Sequence, residues 1–332
     1  MSIFDGKKIL ITGGTGSFGN ACTNRLLTMH SPAKVIIFSR DEFKQWEMAK
    51  KFEGVDKQQK LRFFLGDVRD PERLHRAFQG VDYIIHAAAL KQVPTAEYNP
   101  TECIKTNVDG AQNVINAAAD RGVKKLVALS TDKACNPVNL YGATKLCSDK
   151  LFVAANGFFS SDETRFSIVR YGNVVASRGS VINHFLQQRA TGCLTITDPR
   201  MTRFWITLEQ GVDFVLDCFS RMIGGEIFVP KLPSMNILDL AKSICPNCEA
   251  TIIGIRPGEK IHEVMVSRDD ARNTREFSDC YIICPDNQYL AKRFMTVGGT
   301  PVGPEFEYSS GTNTAWLGVD DLSAMLETCV EE

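Results

Sequence analysis

The chain has 332 residues, of which 44% are hydrophobic and 23% charged, with 38 Lys plus Arg against 39 Asp plus Glu. This length allows a sizeable core and about two domains, and the net charge of -1 gives no field to draw nucleic acid or anionic lipid. No apolar run reaches the roughly 18 residues of a membrane span, and the opening MSIFDGKKILITGG lacks the layout of a secretory signal, so a cytoplasmic protein with no nucleic-acid or membrane partner is expected.

The first half alternates strand and helix patterns. Lys8–Thr12 is a short apolar run ending in glycines, and Ser17–Met29 has helical spacing. A strand at 35–38, a helix at 41–52 and a strand at Leu61–Leu65 follow. Residues 71–78 open with proline at a first helical position. Tyr83–His86 is a strand, 101–121 a long helix, 125–130 a strand, 141–155 a helix and 165–170 a strand. Such alternation implies right-handed crossovers and a parallel sheet covered on both faces. The expected fold class is α/β, a Rossmann doubly wound parallel sheet followed by a smaller substrate-binding domain. After Tyr171 the pattern is irregular, with helices expected near 208–222 and 237–243. The expected division is a dinucleotide-binding domain at 1–171, joined by the helix near 206–223, and a mainly substrate-binding part at 172–332.

Eleven cysteines are scattered along the chain. Cys245-Pro-Asn-Cys248, with Cys280 and Cys284, allows a zinc reading. Cys280 and Cys284 lie in the strand-like run CYIIC, so reduced, buried or incidental thiols and no metal are the expectation.

Gly13, Gly16 and Gly19 in TGGTGSFG follow the first strand and open the first helix. Glycines there let the backbone approach a pyrophosphate, and the helix N-terminus presents free N–H groups to it. Thr15, Ser17 and Phe18 share that loop. Ser39 and Arg40 end the second strand. Arg40 suits the 2′-phosphate of NADP, while Asp41 leaves NAD open. Asp67 and Val68 stand where an acid and an N–H reach an adenine, although Asp67 also suits a turn cap. Ala87 and Ala88, after His86, are small enough for a cofactor to lie against the backbone.

Ser130-Thr131-Asp132-Lys133 follows a strand, and Tyr141 and Lys145 lie four apart at the start of the next helix. An ammonium beside a phenol favours the phenolate, so Tyr141 is a candidate base. Asp132 and Lys133 read either as a solvated turn pair or as an acid and a base, the latter only if burial or a nearby cation lowers the lysine pKa.

These segments resemble the extended short-chain dehydrogenase/reductase superfamily, and more narrowly the inverting UDP-N-acetylglucosamine 4,6-dehydratases that begin pseudaminic acid synthesis. The similar stretches run from about Lys7 to EFEYSS and include FSRDEFKQ, GDVRD, HAAALKQVPTAEYNP, LSTDKACNPVNLYGATKL, RYGNVVASRGSV, TDPRMTRFWI and GIRPGEK. The resemblance implies NADP as cofactor and UDP-N-acetylglucosamine as substrate. It implies Tyr141 as base at the 4-hydroxyl, Asp132 as acid for the departing 6-hydroxyl, and Lys133 as base at C5. Thr131 and Lys145 support them. Tyr141 stands where the membrane-anchored retaining dehydratases commonly have methionine. Lys91, Asn173, Arg178, Arg203, Arg256 and Glu259 become candidates for holding the nucleotide sugar. A homo-oligomer, dimer to hexamer, is also implied. The sequence departs from the family pattern at Gln92, where histidine is frequent, and at Ala176, where glycine is frequent.

Overall fold

A computed structural model describes residues 2–158, 164–175, 181–286, 294 and 297–330. The strands of the first half are β1 (Lys8–Thr12), β2 (Lys34–Ser39), β3 (Leu61–Leu65), β4 (Tyr83–His86), β5 (Lys125–Thr131) and β6 (Arg165–Tyr171). They pair in parallel in the order β3-β2-β1-β4-β5-β6. The order reverses at β1, where Thr12 pairs with both Phe38 and His86. In an open α/β sheet the crevice outside such a reversal is where ligands bind.

The interleaved helices are α1 (Ser17–Met29), α2 (Glu42–Phe52), α3 (Pro71–Ala77), α4 (Val93–Tyr98), α5 (Pro100–Ile104), α6 (Gly110–Asp120) and α7 (Leu140–Phe158). They cover both faces of the sheet. One core holds Ile9, Ile11, Leu26 and Val35, the other Leu10, Ile84, Val114 and Phe152, all fully buried. The long helix expected at 101–121 is two helices joined by a π-helical turn at Lys105–Asp109. Asn107 explains the break: its side chain exchanges two hydrogen bonds with the Leu90 backbone and donates a third to Thr144. A local bulge turns that side chain toward those partners.

Residues beyond 171 complete the same sheet. After β7 (Asn173–Val174), α8 (Val181–Arg189), β8 (Cys193–Ile196) and β9 (Thr202–Ile206) comes α9 (Leu208–Arg221). A Thr207/Gln210 capping box starts α9, and its Val212, Val215 and Phe219 enter the core beside Ile9 and Leu26. Asp213 pairs with Arg25 on α1. Then β10 (Ile227–Pro230) pairs in parallel with β6. Later come β11 (Ser234–Asn236), α10 (Ile237–Ile244), β12 (Glu249–Ile252), β13 (Val264–Val266), α11 (Arg268–Ala271), β14 (Thr274–Glu276), β15 (Cys280–Ile283), β16 (Thr300–Pro301), β17 (Tyr308–Ser309) and α12 (Val319–Val330). Strands β15, β14 and β16 add antiparallel to β10, giving ten strands. The sheet therefore draws strands from both sides of residue 171. A smaller core of Val175, Phe185, Trp205, Met235, Leu240 and Leu322 gathers α8, β9, α10 and α12 beside the crevice.

Cys245 and Cys248 are joined in a disulfide with Cα atoms 5.4 Å apart. This corrects the expectation of thiols there, since the turn after α10 brings both side chains within bonding reach. Cys280 is a buried thiol of β15. No group of three or more metal-ligating side chains occurs among the described residues, and no described helix is long and apolar enough to cross a membrane.

Candidate active site

A cavity of about 710 Å³ opens at the carboxyl ends of β1, β4, β5 and β6. Gly13 leaves β1 with φ +64°, and a Cβ there would meet the Ala88 backbone at 2.9 Å. Gly16 is the N-cap of α1, and neither a capping side chain nor an acidic residue occupies that first turn. The N–H groups and the positive helix end thus face the cavity beside Thr15, Ser17 and Phe18. Gly19 lies outside the lining; a Cβ there would fall 2.1 Å from the Gly14 carbonyl oxygen, so it serves helix–strand contact. This glycine cradle and the uncapped helix end fit a dinucleotide pyrophosphate.

Ser39, Arg40, Asp67 and Val68 line one end of the cavity. Lys44 joins them; sequence reasoning passed over it, although it lies one turn beyond Arg40. Asp41 caps α2 by accepting from the Lys44 N–H at 3.0 Å. Gln45, also missed, donates to the Ser39 carbonyl and hydroxyl at 3.0 and 3.1 Å. Asp67 accepts from Arg69 and lies 3.6 Å from Arg40. Burial opposes its charge, but Arg69 and Arg40 prevail and its pKa is lowered. Ala87 and Ala88 form the floor. Behind them His86 is paired with Thr12 at 2.8 Å, and burial pushes it down to about 3, so the ring is neutral.

At the other end stand Ser130, Thr131, Lys133, Tyr141 and Lys145. Asp132 begins a 3-10 turn and is wholly buried behind the cavity wall. Its Oδ1 accepts from the Thr131 hydroxyl at 2.9 Å and from Lys133 Nζ at 3.0 Å; its Oδ2 has no hydrogen-bond partner. Gly142 lets α7 press on this turn, since a Cβ there would lie 2.2 Å from the Lys133 carbonyl oxygen.

Two electrostatic expectations are corrected. Burial pulls the Lys133 pKa down, but Asp132 and Glu263 outweigh it and the net shift is upward. Free Lys133 is an ammonium and not a ready base. Burial likewise pushes Tyr141 up to about 12, against the pull of Lys133 and the Thr131 hydroxyl. The cation acting on the phenol is thus Lys133. Lys145, one turn further on α7, donates to the Leu129 carbonyl at 2.8 Å, and burial lowers its pKa. Behind it Asp149 accepts from Ser130 at 2.8 Å and from Arg170 at 3.3 Å. Its position four residues after Lys145 was readable in the sequence; its partners were not.

Lys91 lines the cavity, and burial followed by Lys133 lowers its pKa. Asn173 also lines it, with a buried Oδ1 lacking a hydrogen-bond partner. Arg203 does not; its guanidinium donates to the carbonyls of Thr202, Lys260 and Ile261 at 2.7 to 3.0 Å. Arg256 and Glu259 pair with each other away from the lining, with Arg256 67% exposed. Their loop is tied to the mouth by Asn139, which donates to the Gly258 carbonyl at 2.7 Å two residues before Tyr141. Arg178 and Ala176 lie outside the described residues. Glu263, beside Lys133, was missed, and no local pattern in IHEVM marks it.

The family model of polysaccharide biosynthesis proteins matches residues 9–285. A UDP-N-acetylglucosamine 4,6-dehydratase (inverting) of Campylobacter jejuni subsp. jejuni serotype O:2 is 56% identical over 328 residues, 96% of this chain and 97% of that protein. A UDP-glucose 4-epimerase of Rickettsia conorii is 43% identical over 336 residues, 98% and 97% of the two chains. The X-ray structure of Pen from Bacillus thuringiensis is similar with a TM-score of 0.89 and 34% identity, covering 98% of each chain.

Proposed function

The chain belongs to the polysaccharide biosynthesis protein family, within the extended short-chain dehydrogenase/reductase superfamily, and we propose that it is a lyase that removes water across C5 and C6 of UDP-N-acetylglucosamine with inversion at C5. The observation that carries this reading is the Asp132–Lys133 pair at 3.0 Å, set in the wall of a dinucleotide-type cavity that also holds Tyr141. Elimination needs proton-handling groups beyond the tyrosine that serves a hydride transfer.

The glycine cradle, Arg40 and Lys44 would hold NADP, which supplies a hydride acceptor at sugar C4 and a donor at C6. Arg40 and Lys44 line the same end of the cavity and would supply cations for a 2′-phosphate. Tyr141 takes the 4-hydroxyl proton as its phenolate and becomes the phenol, and the Lys133 charge beside it favours that phenolate against the burial that opposes it. The 4-ketone acidifies C5–H. In this reading Asp132, held behind the cavity wall by Thr131 and Lys133, must first take up a proton to serve as the acid for the departing 6-hydroxyl. Lys91 and Asn173 line the same cavity and would contact the sugar, and the Arg256–Glu259 loop, tied to the mouth through Asn139, is the candidate for the uridine. The division of labour follows: the parallel sheet with its Gly-rich turn serves the dinucleotide, and the smaller core serves the nucleotide sugar. A cytoplasmic place, entry to pseudaminic acid synthesis and a homo-oligomer of dimer to hexamer size belong to the same reading. Exposed Tyr98 and Ile104 on α4 and α5 offer apolar surface for such an assembly.

The 43% identity to an epimerase favours one other reading, a nucleotide-sugar 4-epimerase. NMR of the protein with UDP-N-acetylglucosamine in deuterated water separates them. A C6 methyl with deuterium at C5 and L-arabino couplings is the expected product. A methyl with C5 retained refutes inversion, and a product that keeps its 6-hydroxyl refutes dehydration.

A further inference from the structure

Glu263 supplies the least explained charge near the cavity. Its side chain is 3% exposed, it stands immediately before β13, and no step above uses it. Lys133 Nζ lies 3.6 Å from Oε1, Arg203 Nε 3.8 Å from Oε1, and Lys260 Nζ 3.7 Å from Oε2. Oε2 makes no hydrogen bond. The backbone is pinned from both sides: the Glu263 N–H donates to the Ser310 hydroxyl at 2.9 Å, and its carbonyl accepts from the Ser310 N–H at 2.8 Å. Lys260 in turn donates to the Cys135 carbonyl at 2.6 Å, and Arg203 is held by the carbonyls of Lys260 and Ile261. The 260–263 segment and the 132–135 turn are thus laced together. A carboxylate left buried without cations would be costly; three cations within 4 Å offset that cost and fix the side chain.

We propose that Glu263 is a positioning residue which, together with Asp132, holds Lys133 as an ammonium, so that Lys133 enters the reaction as the proton donor to C5. This rests on the dehydratase reading above. Inversion requires the C5 proton to leave from one face and return from the other, so two groups must handle it. A lysine held between two carboxylates begins with its proton and is suited to the return. As hydride reaches C6, the Nζ–H bond breaks with its electron pair left on nitrogen, and the proton bonds to C5. The neutral amine then takes a proton from water, and the group on the other face gives its proton to water. The charged and titratable groups facing Lys133 are Asp132, Glu263, Arg203, Lys91 and Tyr141. Arg203 and Lys91 favour loss of the proton; the two carboxylates prevail.

Competitive acetylation of the whole protein across a pH series, with Lys133 followed by mass spectrometry, reads this proton state without substrate. Glu263→Gln is expected to make Lys133 at least about tenfold more reactive at a given pH below its titration, as befits loss of an opposite charge within 4 to 6 Å. The alkaline limb of kcat should move down by about one pH unit or more, with Glu263→Asp restoring most of it. Lys260→Met removes a competing cation and should make Lys133 less reactive, which keeps the test decisive if Glu263→Gln does not fold. Lys133 reactivity unchanged within about twofold in the folded variants overturns the proposal. A wild-type protein that forms no C6 methyl product would sink the dehydratase reading alone, because the acetylation result stands without turnover.

Discussion

Replacing Asp149 by Leu should cost more stability than any surface ion pair in this protein. Asp149 and Arg170 are 3% and 4% exposed and 3.3 Å apart. Burial pushes Asp149 up despite Arg170 and Lys145, whereas Arg170 gains from the pairing. Because a guanidinium does not give up its proton, Arg170 stays charged whether or not a partner faces it. Without Asp149, Arg170 keeps the Met265 carbonyl at 3.0 Å and Asp270 at 3.8 Å, and its Nε already lacks a partner. Breaking a buried pair from one side costs about 3–5 kcal/mol. The unfolding entropy of about 2.1 cal/mol/K per residue gives roughly 0.7 kcal/mol/K for a chain of this length, so Tm should fall by about 4–7 °C. The double variant Asp149→Leu with Arg170→Met should recover most of that loss, because desolvation of both charges is removed together. Calorimetry of the four proteins in the cycle checks it. A Tm for Asp149→Leu within about 1 °C of wild type, or a double variant as unstable as the single, would refute the reasoning.

Asp132→Asn keeps the shape of the turn but removes a transferable proton. Its kcat should fall by about 10²–10⁴, while hydride removal at C4, read by absorbance of the reduced dinucleotide, continues. Arg40→Ser should weaken NADP by about 10- to 100-fold, the loss of a charged hydrogen-bond donor, and leave NAD nearly unchanged; titration calorimetry with each dinucleotide decides, and equal losses would contradict the assignment. Tyr141, raised from 10.0 to about 12, adds a pH term to stability. The fold favours the neutral phenol, so this contribution is whole below pH 10 and is lost as pH rises through about 12. Tyr141→Phe should therefore lose less stability than wild type between those values, measured by urea unfolding, and parallel curves would count against it.

Much of the candidate site was legible because the fold places cavity-lining groups at or just past the carboxyl ends of strands. Gly13, Arg40, Asp67 and Ala87 follow a strand within two residues, Thr131 ends β5 and Tyr141 lies in the first turn of α7, and apolar runs marked those strands. Local sequence also set the helix starts, as Pro71 and the Thr207/Gln210 box illustrate. The break in the helix at Lys105–Asp109 was not legible, since its cause is the Leu90 backbone, 17 residues away. Arg203 looked like a phosphate ligand by residue type, yet the 260–261 carbonyls take its donors.

By itself the sequence determined the alternation of strands and helices, the glycine turn for a dinucleotide and the presence of tyrosine, lysine and aspartate in one stretch of chain. The proton states of those groups belong to the tertiary structure. Lys133 is held as an ammonium by its neighbour Asp132 and by Glu263, 130 positions later and 3.6 Å away. Burial in the cavity wall likewise raises the Tyr141 phenol. Charge and burial act through space, and here a carboxylate from 130 positions down the chain joins the local Asp132 beside Lys133.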